Sequence, residues 1–352
     1  MLPADLKLIA GPCSAESYEQ LRAVAQQLDS VNLFAFRAGI WKPRTQPGAF
    51  EGAGAEGLGW MRDIQDEFGL NVLTEVANSS HVEKVLAHGF NMMWIGARTT
   101  SNPFSVQELA DSLQGTEATI LIKNPTNPDL KLWVGGIERL YKAGVKKVIA
   151  IHRGFSTYDK LKYRNLPNWQ IPIALRAEFP GLEIICDPSH ISGIANNVFE
   201  VSQKAVDLKF DGLMIEVHPN PAIAKTDAKQ QLTPKEYLEL LARLNLRSRE
   251  AIDQEEIREL RANISILDNQ VVELFAKRMD LVEQIGHYKK RNNIAIFQPN
   301  QWEEALAKFL SLSEDAELSK EFAAEVFKLI HQESIDIQSK ILRNSDKGDS
   351  NP

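Results

Sequence analysis

Arg37, Lys42 and Arg44 close a short apolar run, Leu33 to Phe36, with Gly39 and Pro43 between them and Thr45 just beyond. Three cations at the end of an apolar segment are poor packing groups but good anion ligands, because side chains rooted on a rigid element can hold several negative charges in place. The same plan recurs through the first two thirds of the chain. Gly11-Pro-Cys-Ser-Ala-Glu16 follows the first apolar run, and Arg98, Lys123 and Arg153 follow later ones. Cys186-Asp-Pro-Ser-His190, Glu216-Val-His218 and Lys225-Thr-Asp227 complete the series.

Two constellations can be drawn from these residues. Cys13, His190, Glu216 and Asp227 offer one thiolate, one imidazole and two carboxylates, a donor set of mixed hardness suited to one divalent Mn, Fe, Co or Zn ion. They also fit a buried small cysteine, a histidine in a capped turn, and carboxylates that cap helices or pair with cations. Linear spacing does not separate these readings. Arg98, Lys123 and Arg153 each follow an apolar run directly, so their heads can converge on one phosphate or phosphate-plus-carboxylate group; solvated surface cations are the alternative. One metal site beside two anion areas suits the condensation of two phosphorylated or carboxylated substrates.

The elements that must position these groups are eight β-like runs: Leu6–Ala10, Leu33–Ala38, Asn71–Thr74, Met92–Ile95, Thr119–Ile122, Lys147–Ile151, Leu182–Cys186 and Gly212–Glu216. Amphipathic stretches separate them, such as Ser17–Leu28, Gly54–Phe68 and Ser79–His88. Strand alternating with helix predicts right-handed crossovers and a parallel sheet, and eight repeats favour a closed (β/α)8 TIM barrel with its site at the strand C-termini. No Gly-x-Gly-x-x-Gly follows the first strand, so no organic cofactor is expected.

After Pro234 the texture changes. Lys235–Leu246 reads as a last barrel helix, and a long periodic segment, Glu255–Asn292, exceeds ordinary globular helix length. A second helix is expected at Trp302–Leu310, and a third from about Glu317 to about Leu342, capped by Asp315. The predicted division is therefore a barrel over 1–246, a linker over 247–255, an all-α three-helix domain over 256–343 and a polar tail over 344–352. Arg261, Arg278 and Lys289 fall near one face of the long helix, as anion ligands or as ordinary salt-bridged cations. The 352 residues carry a formal charge of -7, 43% apolar residues and two cysteines. That excludes a nucleic-acid surface and a disulfide framework, and no run reaches membrane-spanning length, so a cytoplasmic protein is expected.

Gly11-Pro-Cys-Ser-Ala-Glu-Ser17, Lys42-Pro-Arg-Thr45, Ile95-Gly-Ala-Arg98, His152-Arg-Gly154 and Asp187-Pro-Ser-His190 together resemble the type Iβ 3-deoxy-D-arabino-heptulosonate 7-phosphate (DAHP) synthases, over residues 1 to about 240. The resemblance implies condensation of phosphoenolpyruvate with erythrose 4-phosphate. By it, Cys13, His190, Glu216 and Asp227 match the metal ligands. Arg98, Lys123 and Arg153 with Lys42 match the phosphoenolpyruvate site, and Arg37 belongs with Lys42, Arg44 and Thr45 to the second anion area. Arg44 and Thr45 match contacts to the aldose phosphate, and Asp187 to its hydroxyls. Lys123 and His190 are candidates for proton transfer. The sister 3-deoxy-D-manno-octulosonate 8-phosphate synthases are the alternative, disfavoured by Lys42-Pro-Arg-Thr45.

Leu260-Arg-Ala-Asn-Ile-Ser-Ile-Leu-Asp268 and Leu274-Phe-Ala-Lys-Arg-Met-Asp-Leu-Val282 resemble the AroQ-type chorismate mutases, with the match running to Ser334 and Gln338. Arg261, Arg278, Lys289 and Gln338 then match the groups that grip the carboxylates and ether oxygen of chorismate. The resemblance implies a homodimer through the helical domain, with Arg261 reaching the partner's site. Gln298, Gln301 and Trp302 depart from the family pattern, which places an acidic group for the substrate hydroxyl there; Glu303 is one residue off register. The implied whole is a bifunctional shikimate-pathway enzyme whose mutase product, prephenate, feeds back on the barrel. A helical domain kept only for regulation or dimerisation is the alternative.

Overall fold

A computed structural model describes residues 6–42, 48, 50–158, 161–246 and 255–343. Arg44, Thr45, the hinge expected over Arg247–Gln254 and the polar tail lie outside them. Two compact units result, Met1–Arg249 and Glu250–Pro352.

The first unit is a closed barrel in which eight parallel strands pair in sequence order and β1 closes on β8. The strands are β1 (Lys7–Gly11), β2 (Ala35–Arg37), β3 (Val72–Val76), β4 (Met92–Ile95), β5 (Thr119–Lys123), β6 (Lys147–His152), β7 (Glu183–Cys186) and β8 (Gly212–Glu216). All eight expected runs form strands, with ends displaced by up to two residues. The helices are α1 (Tyr18–Leu28), α2 (Glu56–Phe68), α3 (Ser79–Ala87), α4 (Ala97–Thr100), α5 (Pro103–Ser112), α6 (Leu130–Lys142), α7 (Gln170–Glu178), α8 (Pro188–Ser192), α9 (Val198–Asp207) and α10 (Pro234–Arg243). Most start at a side-chain cap: Ser17 Oγ accepts from Gln20 N, Asn78 from His81 N, and Thr233 forms a capping box with Glu236.

Strand alternation sorts the core into two layers. Ile9, Ala35, Leu73, Trp94, Leu121, Ile149, Ile151, Ile185 and Met214 fill the barrel interior. Their neighbours, among them Leu8, Ala10, Phe36, Ile120, Ile122, Ile184 and Cys186, pack outward against the helices. This parity carries into the site. Two residues past an inward apolar position come Arg37 after Ala35, Glu75 after Leu73, Lys123 after Leu121, Arg153 after Ile151, Asp187 after Ile185 and Glu216 after Met214. The opposite parity sends His152 outward, where it sits among Phe155, Trp169 and Phe210 with ring centroids 5.2–6.0 Å away. Burial, aided by Arg153, pushes that imidazole down to about 3, so it is a neutral packing group.

The second unit has three helices, α11 (Glu255–Arg291), α12 (Pro299–Asp315) and α13 (Lys320–Arg343). The second starts earlier than expected because Pro299 takes the first helical position. Asp315, expected to cap the third helix, is instead the last residue of α12; Ser319 Oγ accepts from Phe322 N and takes the capping place. Gly286 lets α11 and α13 approach closely, since a Cβ there would lie 2.7 Å from Ile341 Cδ1. Much of the apolar surface of α11 is left uncovered: Leu260, Ile264, Leu267, Val271, Leu274 and Leu281 are exposed by between 45% and 62%. No helix of the described residues is long and apolar enough to cross a membrane.

Candidate active sites

At the C-terminal end of the barrel, Gly11 is the residue that permits the site. Its φ is +145°, and a Cβ there would collide with the Arg37 carbonyl oxygen, so only glycine brings the β1 exit against β2. Past it, Cys13, Glu216 and Asp227 place one ligand atom each within 4.8 Å of one another. Cys13 Sγ lies 3.4 Å from Asp227 Oδ2 and receives a hydrogen bond from Lys42 Nζ at 3.1 Å. His190 borders the cluster: its Nε2 is 3.7 Å from Glu216 Oε1, and its Nδ1 is 2.8 Å from Asp187 Oδ2.

Glu216 Oε1 tests whether this cluster fits a cation. It is fully buried and lacks a hydrogen bond of good geometry, although Arg37 Nη2 is 3.1 Å away. Burial, reinforced by Glu216, raises the Cys13 thiol to about 12. Burial is the largest single effect and would raise Asp227 and Glu216 too, yet His190 and Arg164 together at Asp227, and His190 and Arg37 together at Glu216, offset it and hold both ionised. Two ionised carboxylates, an orphaned oxygen and a thiol held protonated by burial and Glu216 fit a divalent cation.

The cations occupy the rest of the mouth. Arg37, fully buried, stacks over Trp94 at 4.9 Å, and its Nε and Nη1 have no hydrogen-bond partner. Lys123 Nζ donates to Asp187 Oδ2 at 2.8 Å, also over the Trp94 ring. Arg153 is set by Asn124, whose Oδ1 accepts from Arg153 N, and by Asn165, whose Oδ1 accepts from Nη1. Burial, with Arg164 and Arg98 nearby, lowers Arg153 to about 10 although Asp187 opposes. Buried cations gathered at one mouth mark a place that favours an anion. Arg98 is itself exposed and lies on α4, three residues past the end of β4.

Sequence reasoning missed several members. Arg164 donates to Asp227 and to Gln230, and Gln230 Nε2 donates to Glu216 Oε2 at 2.8 Å. Trp94 Nε1 donates to Glu75 Oε2 at 2.8 Å beneath the site. The parity of Trp94 with Met92 was readable; Arg164 sits in an irregular loop with no periodicity to flag it.

In the helical unit, Arg278 Nη1 donates to Ser334 Oγ at 2.8 Å, and Lys289 Nζ to the Ile296 carbonyl at 2.6 Å. Burial lowers the pKa of both cations. Gln338 is buried and its Oε1 has no partner. Glu303 is exposed, whereas Trp302 turns partly inward. Arg261 is exposed, seventeen residues before Arg278, or about 25 Å along the helix axis.

Fold and site together define a metal- and anion-binding (β/α)8 barrel joined to an all-helical unit. Residues 4–253 match the DAHP synthetase I family, and the chain belongs to it. Residues 260–339 match chorismate mutase type II, so the barrel is followed by an AroQ-type chorismate-mutase domain. The chain is similar to the phospho-2-dehydro-3-deoxyheptonate aldolase of Thermotoga maritima, at 32% identity over 66% of this chain and 67% of that protein. It is also similar to the 2-dehydro-3-deoxyphosphooctonate aldolase of Helicobacter pylori, at 28% identity over 66% of this chain and 92% of that one. The crystal structure of the Thermotoga maritima phospho-2-dehydro-3-deoxyheptonate aldolase superposes with a TM-score of 0.61 at 30% identity, covering 67% of each chain.

Proposed function

We propose that the chain condenses phosphoenolpyruvate, erythrose 4-phosphate and water to DAHP and phosphate in its barrel, and rearranges chorismate to prephenate in its helical domain. The observation that carries the first half is the meeting of the Cys13, Glu216 and Asp227 cluster with Arg37, Lys123 and Arg153 at one barrel mouth. A divalent ion bound by Cys13, Glu216, Asp227 and His190 would supply Lewis-acid polarisation of the aldehyde. Arg98, Arg153 and Lys123 hold the phosphate and carboxylate of phosphoenolpyruvate. Arg37, whose Nε and Nη1 have no partner, has donors to spare for an anion at this mouth. Burial lowers the Lys42 pKa, but Cys13 and then Glu216 raise it by more, so its ammonium stays charged as negative charge develops. His190 is kept neutral chiefly by burial and its Nδ1 is held by Asp187, which leaves Nε2 as its ligand atom for the ion and not as a proton relay. Asp187, expected to meet aldose hydroxyls, has Oδ2 engaged by Lys123 and His190 and Oδ1 by the His190 backbone, so its role in this reading is to fix those two groups. Arg44 and Thr45 remain the proposed contacts of the aldose phosphate.

In the helical domain, Arg278, Lys289 and Gln338 are the groups that would grip chorismate, and locking the substrate's shape and stabilising the breaking C–O bond is sufficient catalysis. Arg261 is too far from Arg278 to join it within one chain, which supports a homodimer in which each α11 supplies Arg261 to the other's site, in the cytoplasm. The departures at Gln298, Gln301 and Trp302 favour a second reading, a helical domain that binds prephenate without turnover. One set of assays on the full-length chain tests both halves. Phosphate release should require erythrose 4-phosphate and be lost on chelation, and chorismate should be consumed. Arabinose 5-phosphate turnover would transfer the barrel to the octulosonate reaction, and absent chorismate turnover would leave only the sensing role. Prephenate should inhibit the full-length synthase and spare a chain ended at Leu246.

A further inference from the structure

His331 lies on α13 one turn before Ser334 and two before Gln338, on the face that meets α11. Its Nε2 is shut off from solvent and has no hydrogen-bond partner. Around it stand three aromatic rings: Phe327, nearly parallel at 6.1 Å, Trp302 at 6.2 Å and Phe297 at 6.3 Å. The charges of Arg278 and Lys289 both reach it and, after burial, lower its pKa, so the ring is neutral at neutral pH. An imidazole nitrogen held without a partner, beside two cations and behind aromatic walls, lacks a structural explanation within the three helices.

We propose that His331 is a specificity-determining residue of the helical site, its Nε2 hydrogen-bonding the ring hydroxyl of the bound dicarboxylate. The inference rests on the chorismate–prephenate reading of that site and says which group recognises the hydroxyl. Guanidinium and ammonium groups take the carboxylates, for which a neutral imidazole cannot compete. A hydroxyl both donates and accepts, so it suits either tautomer of the ring. Among Phe297, Trp302 and Phe327 a hydroxyl without a partner would lose its hydration for nothing, which makes one buried nitrogen a strong discriminator.

The test compares full-length wild type, His331→Leu and His331→Gln for binding of prephenate and of its dehydroxylated analogue by calorimetry, with thermal unfolding of each variant. His331→Leu should weaken prephenate about tenfold or more and the analogue less than twofold, and His331→Gln should recover part of the loss. Equal losses on the two ligands, in variants that unfold like wild type, would overturn the inference and leave the mutase reading standing. Prephenate binding without chorismate turnover would remove the mutase reading and keep this one under test through the same ligand pair. Failure of wild type to bind either ligand would overturn both.

Discussion

At the scale of single residues, the barrel site is a problem of compensating charge. Cys13 is a thiol near pKa 12 because burial and Glu216 oppose the thiolate more than Lys42 supports it. Ligation requires the thiolate, so metal binding near neutral pH should release a proton, and apparent affinity should rise up to about tenfold for each unit of pH. Competition with a chelator at two pH values, with proton release followed in weak buffer, measures this. Cys13→Ser should weaken metal binding by at least tenfold and flatten the pH dependence; an unchanged slope would remove Cys13 from the ligand set. The strand-end residues were legible because each keeps the inward parity of the apolar residue two places before it, as Lys123 does after Leu121. Cys186 shares the chemistry of Cys13 but not that parity, and is core. Arg164 and Gln230 could not be found this way, since their place depends on a loop path no alternation encodes.

At the scale of elements, the strands were readable from apolar runs and most helices from their amphipathic faces. Short α4 and α8 were not, because a helix of four or five residues leaves no periodic signature. The Asp315 expectation failed because α12 runs on to Asp315 itself, which leaves Ser319, immediately before Lys320, to cap α13. Close packing between adjacent strand exits is more exacting than any propensity. Gly96, at the exit of β4, has no room for a methyl group, which would strike the Glu75 carboxylate that accepts the Trp94 indole hydrogen bond. Gly96→Ala should therefore lower stability by about 1–3 kcal/mol through overpacking and loss of that bond. Thermal denaturation reads the loss; an unchanged Tm would show that Glu75 moves aside freely.

For the molecule as a whole, two units were foreseen from the change in texture after Pro234, and the helical one leaves a row of apolar side chains of α11 exposed. The bare apolar face of α11 could be anticipated from its length, whereas what covers it cannot be read from one chain's contacts. Leu267→Lys, on that face and remote from Arg278, should shift full-length protein toward monomer in sedimentation, abolish chorismate consumption and leave DAHP formation within about twofold. An unchanged sedimentation coefficient would place the partner contact elsewhere. If Arg261 of one α11 completes the other's cavity, the mutase half obeys mass action and the barrel half does not. Dilution alone would then change the ratio of the two activities, and a ligand clasped between both chains would act as their adhesive, drawing monomers together at concentrations where the empty pair falls apart.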